Sequence, residues 1–303
     1  MEESMIYKAS IAEGVQKDQA ERLRLIMKNQ DVSLEAKRRQ PRIITISSGK
    51  GGVGKTNIAI NLAIAFAEEK KRVIVMDADL GLANVNVILG IIPKFNLYHV
   101  LRKQKRLRDI IVDTPYGIQI ISGASGFSQL ANLNDESRSN FVNELKNLAY
   151  ADIIIIDTGA GVSQNVLTFL KAADEALIVT TPEPTAITDA YGIIKSISSE
   201  IGGPNIKLIV NRVRTVMEGK KVAERVINIA GQFLNIKVDN LGFMFEDSVV
   251  PRAVIKQDPF IKSSPRSKAS ESIRHLMSRL LDIEYVEEGG FGRFLKGIFG
   301  VKA

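Results

Sequence analysis

The sequence predicts an α/β fold, a doubly wound and mostly parallel sheet flanked by helices. Three observations lead there. From about Ile43 onward, short β-branched runs alternate with helix-like segments, the pattern of parallel strands joined by helical crossovers. The run Ile153-Ile154-Ile155-Ile156 lacks polar alternation, so it reads as a central strand buried on both faces. Between the first strand and the first helix lies Gly49-Lys50-Gly51-Gly52-Val53-Gly54-Lys55-Thr56, a match to G-x-x-x-x-G-K-[ST] at the strand-to-helix turn where that motif belongs.

In order, strands are expected over 43–47, 72–77, 118–122, 153–157, 176–180, 207–211 and 241–245. Helices are expected over 56–69, 137–149, 163–172, 186–200, 220–234 and 268–281. Three regions follow. Residues 1–40 form a polar N-terminal extension with one helical stretch, ending in Lys37-Arg38-Arg39 before Pro41. Residues 41–284 form the nucleotide-binding domain. Residues 285–303 form a linker, marked by Glu287-Glu288 and Gly289-Gly290, and a short amphipathic helix.

With 303 residues, 45% hydrophobic and 25% charged, one large globular domain with appendages is expected rather than a disordered or fibrous chain. A net charge of +7 favours an anionic partner, nucleic acid or acidic lipid, without naming either. Absence of cysteine rules out disulfides, thiolate metal sites and thiol catalysis. The polar start Met1-Glu2-Glu3-Ser4 has no apolar signal region, and no apolar run approaches the roughly 20 residues of a membrane span, so a cytoplasmic protein is expected. His99 and His275 lie far apart and suggest no metal site.

In the glycine-rich loop, Gly49, Gly51, Gly52 and Gly54 let successive N–H groups turn toward phosphates, beside Val53 and ahead of Asn57 in the first helical turn. Lys55 is expected on the β- and γ-phosphates and the Thr56 hydroxyl on Mg²⁺, which makes a nucleoside triphosphate with Mg²⁺ the expected ligand. Asp157 closes the isoleucine run ahead of Thr158-Gly159-Ala160-Gly161, where the acid that holds Mg²⁺ is expected, with Gly161 in a switch loop. The usual GTP-reading Asn-Lys-x-Asp string is absent.

The early lysine in Lys50-Gly51-Gly52-Val53-Gly54-Lys55-Thr56 resembles the deviant Walker A motif of the MinD/ParA family of P-loop ATPases. That resemblance implies an ATP-dependent homodimer in which Lys50 reaches the partner's phosphates. It also implies an ATP hydrolase that needs Mg²⁺. Asp77-Ala78-Asp79-Leu80-Gly81-Leu82-Ala83-Asn84 resembles switch I of the same family, with Asp79 on the attacking water and Asp77 in support. Asn211 and Arg212 resemble its adenine-reading pair, and the segments 182–185 and 246–251, including Glu246 and Asp247, resemble loops that flank the base.

The two ends narrow the resemblance. Phe291, Phe294, Leu295, Ile298 and Phe299 recur at i, i+3, i+4, i+7 and i+8, the spacing of an interfacial helix that orders on a surface. It resembles the membrane-targeting segment of MinD and of the FlhG (FleN, YlxH) flagellar-number regulators. Asp18-Gln19-Ala20-Glu21-Arg22-Leu23-Arg24 resembles the Asp-Gln-Ala-x-x-Leu-Arg element of FlhG-type proteins, with Asp18, Gln19, Ala20, Leu23 and Arg24 matching. That resemblance implies contact with FlhF, a GTPase of the signal-recognition-particle type, and with basal-body (C-ring) proteins. One tail is a weak anchor and two in a dimer gain avidity, so ATP is expected to place the dimer on acidic lipid at the inner face of the cell membrane. A MinD-like division-site regulator needs no Asp18–Arg24 element, and a ParA-like partition protein needs no final helix; specific DNA binding is not expected.

Overall fold

The computed structural model describes residues 40–79, 84–123, 143–198 and 204–283. The expected elements at Asp18–Arg24 and Phe291–Phe299 lie outside these residues. Eight strands form one sheet: β1 Arg42–Ser48, β2 Val73–Ala78, β3 Ile111–Asp113, β4 Gln119–Ile121, β5 Ile153–Ala160, β6 Glu175–Thr180, β7 Asn205–Val213 and β8 Asp239–Phe245. Their order is β3-β4-β2-β5-β1-β6-β7-β8, and every pairing is parallel except β3 with β4. This is the doubly wound, mostly parallel sheet that the sequence predicts.

Burial explains the central isoleucines. Ile153 and Ile155 of β5 enter one core and Ile154 and Ile156 the other, so both faces of this strand are dry. On the first face lie α1 (Lys55–Glu68) and α9 (Lys268–Leu281), packed on each other. Nearly every turn of α1 is buried all round, from Ile58 to Phe66, as expected of a helix sandwiched between a sheet and a second helix. On the opposite face, α4 (Gln164–Ala172) and α5 (Pro184–Ile197) cover β1 and β6. Helix α6 (Val216–Leu234) joins β7 to β8, its start capped by Thr215 and its end turned by Asn235 in the left-handed region.

Several features depart from the expected elements. Strand β3 is an antiparallel edge strand, closed on β4 by the turn at Gly117, φ 78°. Short helices α2 (Val85–Ile88) and α3 (Leu97–Leu101) follow β2, with a 3₁₀ turn at Leu107–Asp109. The expected helix over 137–149 ends in a 3₁₀ turn, Lys146–Leu148, and its residues before 143 lie outside the described ones. The segment read as a loop over 246–251 instead runs into helix α7 (Val249–Lys256), followed by α8 (Phe260–Ser263). Pro251 is third in α7, within the first turn, where an amide hydrogen has no helical acceptor to lose.

Candidate nucleotide site

Because β1, β2, β5 and β7 run parallel, the loops leaving their carboxyl ends gather at one edge of the sheet, the usual ligand edge of an open α/β fold. Gly49–Gly54 crosses that edge and delivers the chain to α1. Geometry requires glycine at two points. A Cβ on Gly49 would fall 2.3 Å from the Asp189 carbonyl in α5. Gly54, the N-cap, has φ 98°, and a Cβ there would fall 2.4 Å from Asn211 Nδ2. Val53 is buried and pins the loop to the core. No acidic residue occupies the first turn of α1, so the positive end of its dipole faces the loop uncompensated.

The two loop lysines have different surroundings. Lys55 is 8% exposed, and burial draws its pKa below that of an ordinary lysine against the opposing pull of Asp157 and Asp79. Lys50 points elsewhere. Its Nζ lies 2.7 Å from Glu183 Oε2 and 3.3 Å from Thr185 Oγ1 at the start of α5. That ammonium, by donating a hydrogen bond and by its charge, holds the Glu183 carboxyl below the usual range. The segment over 182–185, expected beside the base, therefore lies against Lys50 and contributes nothing to the cavity wall described below. Sequence reasoning missed this pairing because Lys50 and Glu183 are 133 residues apart.

Asp77 and Asp157 are cross-strand neighbours at the ends of β2 and β5, each 1% exposed. Asp77 accepts from the amides of Asp79 and Val85, both at 3.1 Å, which fixes the backbone at these two residues. Burial raises its pKa to about 6, against those hydrogen bonds. Both Asp157 oxygens are buried without a hydrogen-bond partner among the described residues. Burial pushes this carboxyl up to about 7; the Thr56 hydroxyl, near enough to pull it down, falls short of hydrogen-bond geometry. An orphaned carboxylate beside a hydroxyl fits a divalent cation, since the pull of Thr56 and Lys55 does not offset the loss of water. Asp79 sits over Gly159, where a Cβ would come within 3.3 Å of Asp79 Oδ1, and Asn84 Nδ2 donates to its other oxygen at 3.4 Å. Gly161, φ 90°, donates to the Ser48 carbonyl at 2.9 Å and so ties the loop after β5 to the start of the phosphate loop.

Beside the loop opens a cavity of about 740 Å³, into which Gly54, Asn57, Asn211, Arg212, Glu246 and Asp247 all face. Its apolar wall comes from Met244, Phe245, Pro251, Val254, Ile255 and Phe260. Pro251 falls in the segment expected beside the base; the other five, on β8, α7 and α8, were not singled out because they lie remote from the motif. Asn211 Nδ2 donates to the Val53 carbonyl at 2.7 Å, and the Arg212 guanidinium donates to the Gly52 carbonyl at 2.7 Å. These two expected base readers thus brace the phosphate loop as well. Asp247 is also committed, accepting from the amides of Val249 at 3.0 Å and Ala269 at 3.3 Å, so its carboxylate fixes the wall of the cavity. Glu246 meets Arg214 at 3.3 Å.

Fold and site together define a P-loop nucleotide-binding protein with a second lysine in its loop. Comparison with known proteins agrees: residues 41–209 match a family described as an AAA domain. The antiactivator FleN of Pseudomonas aeruginosa is 35% identical over 239 residues, 78% of this chain and 85% of FleN. The flagellum site-determining protein YlxH of Helicobacter pylori is 37% identical over 242 residues, 79% of this chain and 82% of YlxH. Among solved structures, the septum site-determining protein MinD of Pyrococcus horikoshii, complexed with Mg-ADP, superposes with a TM-score of 0.65 at 27% identity, over 80% of this chain and 96% of that one. The chain belongs to the MinD/ParA family of P-loop ATPases, in the FlhG branch that includes FleN and YlxH. No helix among the described residues is long and apolar enough to cross a membrane.

Proposed function

We propose that this protein is an ATP-driven dimerisation switch that acts at the cell membrane to regulate the number or placement of flagella. The observation that carries the reading is the division of labour between the two loop lysines. Lys55 is buried at the phosphate end of the site, whereas Lys50 stands 43% exposed at its rim, held by a single exposed carboxylate. An ion pair of that kind contributes at most about 1 kcal/mol, so it exchanges readily for a stronger anion such as a phosphate on a second copy.

Each residue then has a task. Glycine-loop amides and Lys55 hold the triphosphate, and Asn211 and Arg212 keep the loop in shape while bordering the base cavity. Thr56 and Asp157 would hold Mg²⁺, which when bound neutralises charge on the phosphates. Asp79, steered by Asn84 and by the chain path that Asp77 fixes, orients the attacking water. FleN and YlxH, by their names an antiactivator and a flagellum site-determining protein, support the flagellar reading. In this reading Asp18–Arg24 engages an FlhF-type GTPase, C-ring proteins are further partners, and Phe291–Phe299 binds acidic lipid when two tails are paired.

The test is the dependence of ATP hydrolysis on protein concentration. A shared site gives a specific activity that rises with concentration and falls about 100-fold or more in both Lys50→Ala and Lys55→Ala. Activity independent of concentration and of Lys50 would refute the shared site. For the tail, deleting residues 291–303 should remove the increase in liposome sedimentation that ATP causes, whatever binding persists without nucleotide.

A further inference from the structure

The chain carries a net charge of +7, and one short stretch is especially rich in cations. Lys94, Arg102, Lys103, Lys105, Arg106 and Arg108 lie within Lys94–Asp109, and Asp109 is the stretch's one carboxylate, which leaves +5 in sixteen residues. All of these cations except the half-buried Lys105 are exposed. The stretch is folded onto the sheet. Leu97, Val100, Leu107 and Ile110 anchor it in the core against Ile154 and Ile156 of β5. Asn96 caps α3 by accepting from the Tyr98 amide at 3.1 Å.

Its non-cationic residues narrow the partner. The Arg102 guanidinium lies 5.3 Å from the centre of the Tyr98 ring, and Lys105 Nζ lies 4.2 Å from that of Phe95. Two residues before Lys94, Ile92 stands 92% exposed, a placement that costs free energy in water. Cations for headgroups, aromatic rings for the interface and a protruding aliphatic side chain for the acyl boundary are the ingredients of peripheral lipid contact. A nucleic acid would use the cations but leave Ile92 in water.

We propose that the segment from Ile92 to Arg108 is a lipid-binding face in the folded domain, which docks on anionic phospholipid headgroups independently of the chain's C-terminal tail. Each Lys or Arg near such a surface contributes on the order of 1 kcal/mol, so several together make a contact of real strength that salt weakens.

The experiment sediments the full-length protein with vesicles of phosphatidylcholine alone and with about one-third phosphatidylglycerol. The variant Arg102→Glu/Arg106→Glu/Arg108→Glu should lose about tenfold or more of its binding to the anionic vesicles, with unaltered thermal unfolding. Ile92→Ser, at an exposed position with no packing to lose, should cost about threefold at unchanged charge. ATP turnover, read alongside, should stay at the wild-type level in both variants, so failure of this proposal and failure of the switch reading are separable. Undiminished binding of both variants to anionic vesicles would overturn the proposal. So would loss of binding to duplex DNA with vesicle binding intact, which would assign the face to nucleic acid instead.

Discussion

At the scale of single residues, Asp157 and Asp77 are carboxylates that the fold holds at a cost. With folded pKa values near 7 and 6, against an ordinary value of 3.8, each binds its proton more tightly folded than unfolded. The folded state therefore carries the extra protons between pH 4 and 7, and ligand-free stability falls as pH rises through that window. Asp157→Asn should raise the stability of the ligand-free protein at pH 8 by about 2–4 kcal/mol, measured by urea unfolding, while Mg²⁺-dependent ATP binding is lost. No gain at pH 8, or the same gain at pH 4, would contradict this account of the site. Gly54→Ala acts in the opposite direction. It puts a side chain at φ 98° and against Asn211, so it should destabilise by about 1–3 kcal/mol and weaken ATP binding in an equilibrium titration. The glycines, Lys55 and Thr56 were legible in the sequence because the phosphate loop is built from consecutive residues. Glu183 was not, since its contact with Lys50 is made by the sheet order, and no local pattern records it.

At the scale of elements, an ion cluster fastens the sheet at the edge away from the nucleotide. Arg42 at the start of β1 pairs with Glu175 at the start of β6, which also meets Lys207 of β7 at 3.3 Å. Arg42 in addition donates to the Leu280 carbonyl near the end of α9 at 2.6 Å, so one side chain joins three elements. Glu175 is 8% exposed at its side chain, so removing a partner leaves a buried charge short of compensation. Arg42→Met should cost about 3 kcal/mol by denaturant unfolding and leave the ATP affinity of the remaining folded protein unchanged. A cost below about 1 kcal/mol would mean that Lys207 alone suffices. Strands with long β-branched runs were readable to within two or three residues. The three-residue β3 was not, because at an edge only its pairing with β4 defines it. Helix α7 was hidden by Pro251, which argues against a helix everywhere except in a first turn.

At the scale of the whole molecule, the described residues from Arg42 onward build one α/β sheet with the nucleotide site at one edge. The phosphate loop, the carboxylates Asp77 and Asp157 and the cavity beside the loop lie within one chain. Lys50 stands half-exposed at the rim, parked on Glu183 and Thr185. The central claim is that a second copy completes the arrangement when both hold ATP. The mass of the full-length protein in solution, by light scattering with saturating ATP and Mg²⁺, tests this most directly in the Asp79→Ala variant, which is expected to block hydrolysis. The account predicts twice the chain mass with ATP, the single-chain mass with ADP, and the single-chain mass with ATP once Lys50→Ala is added. A protein that keeps its single-chain mass with ATP at saturation would contradict it.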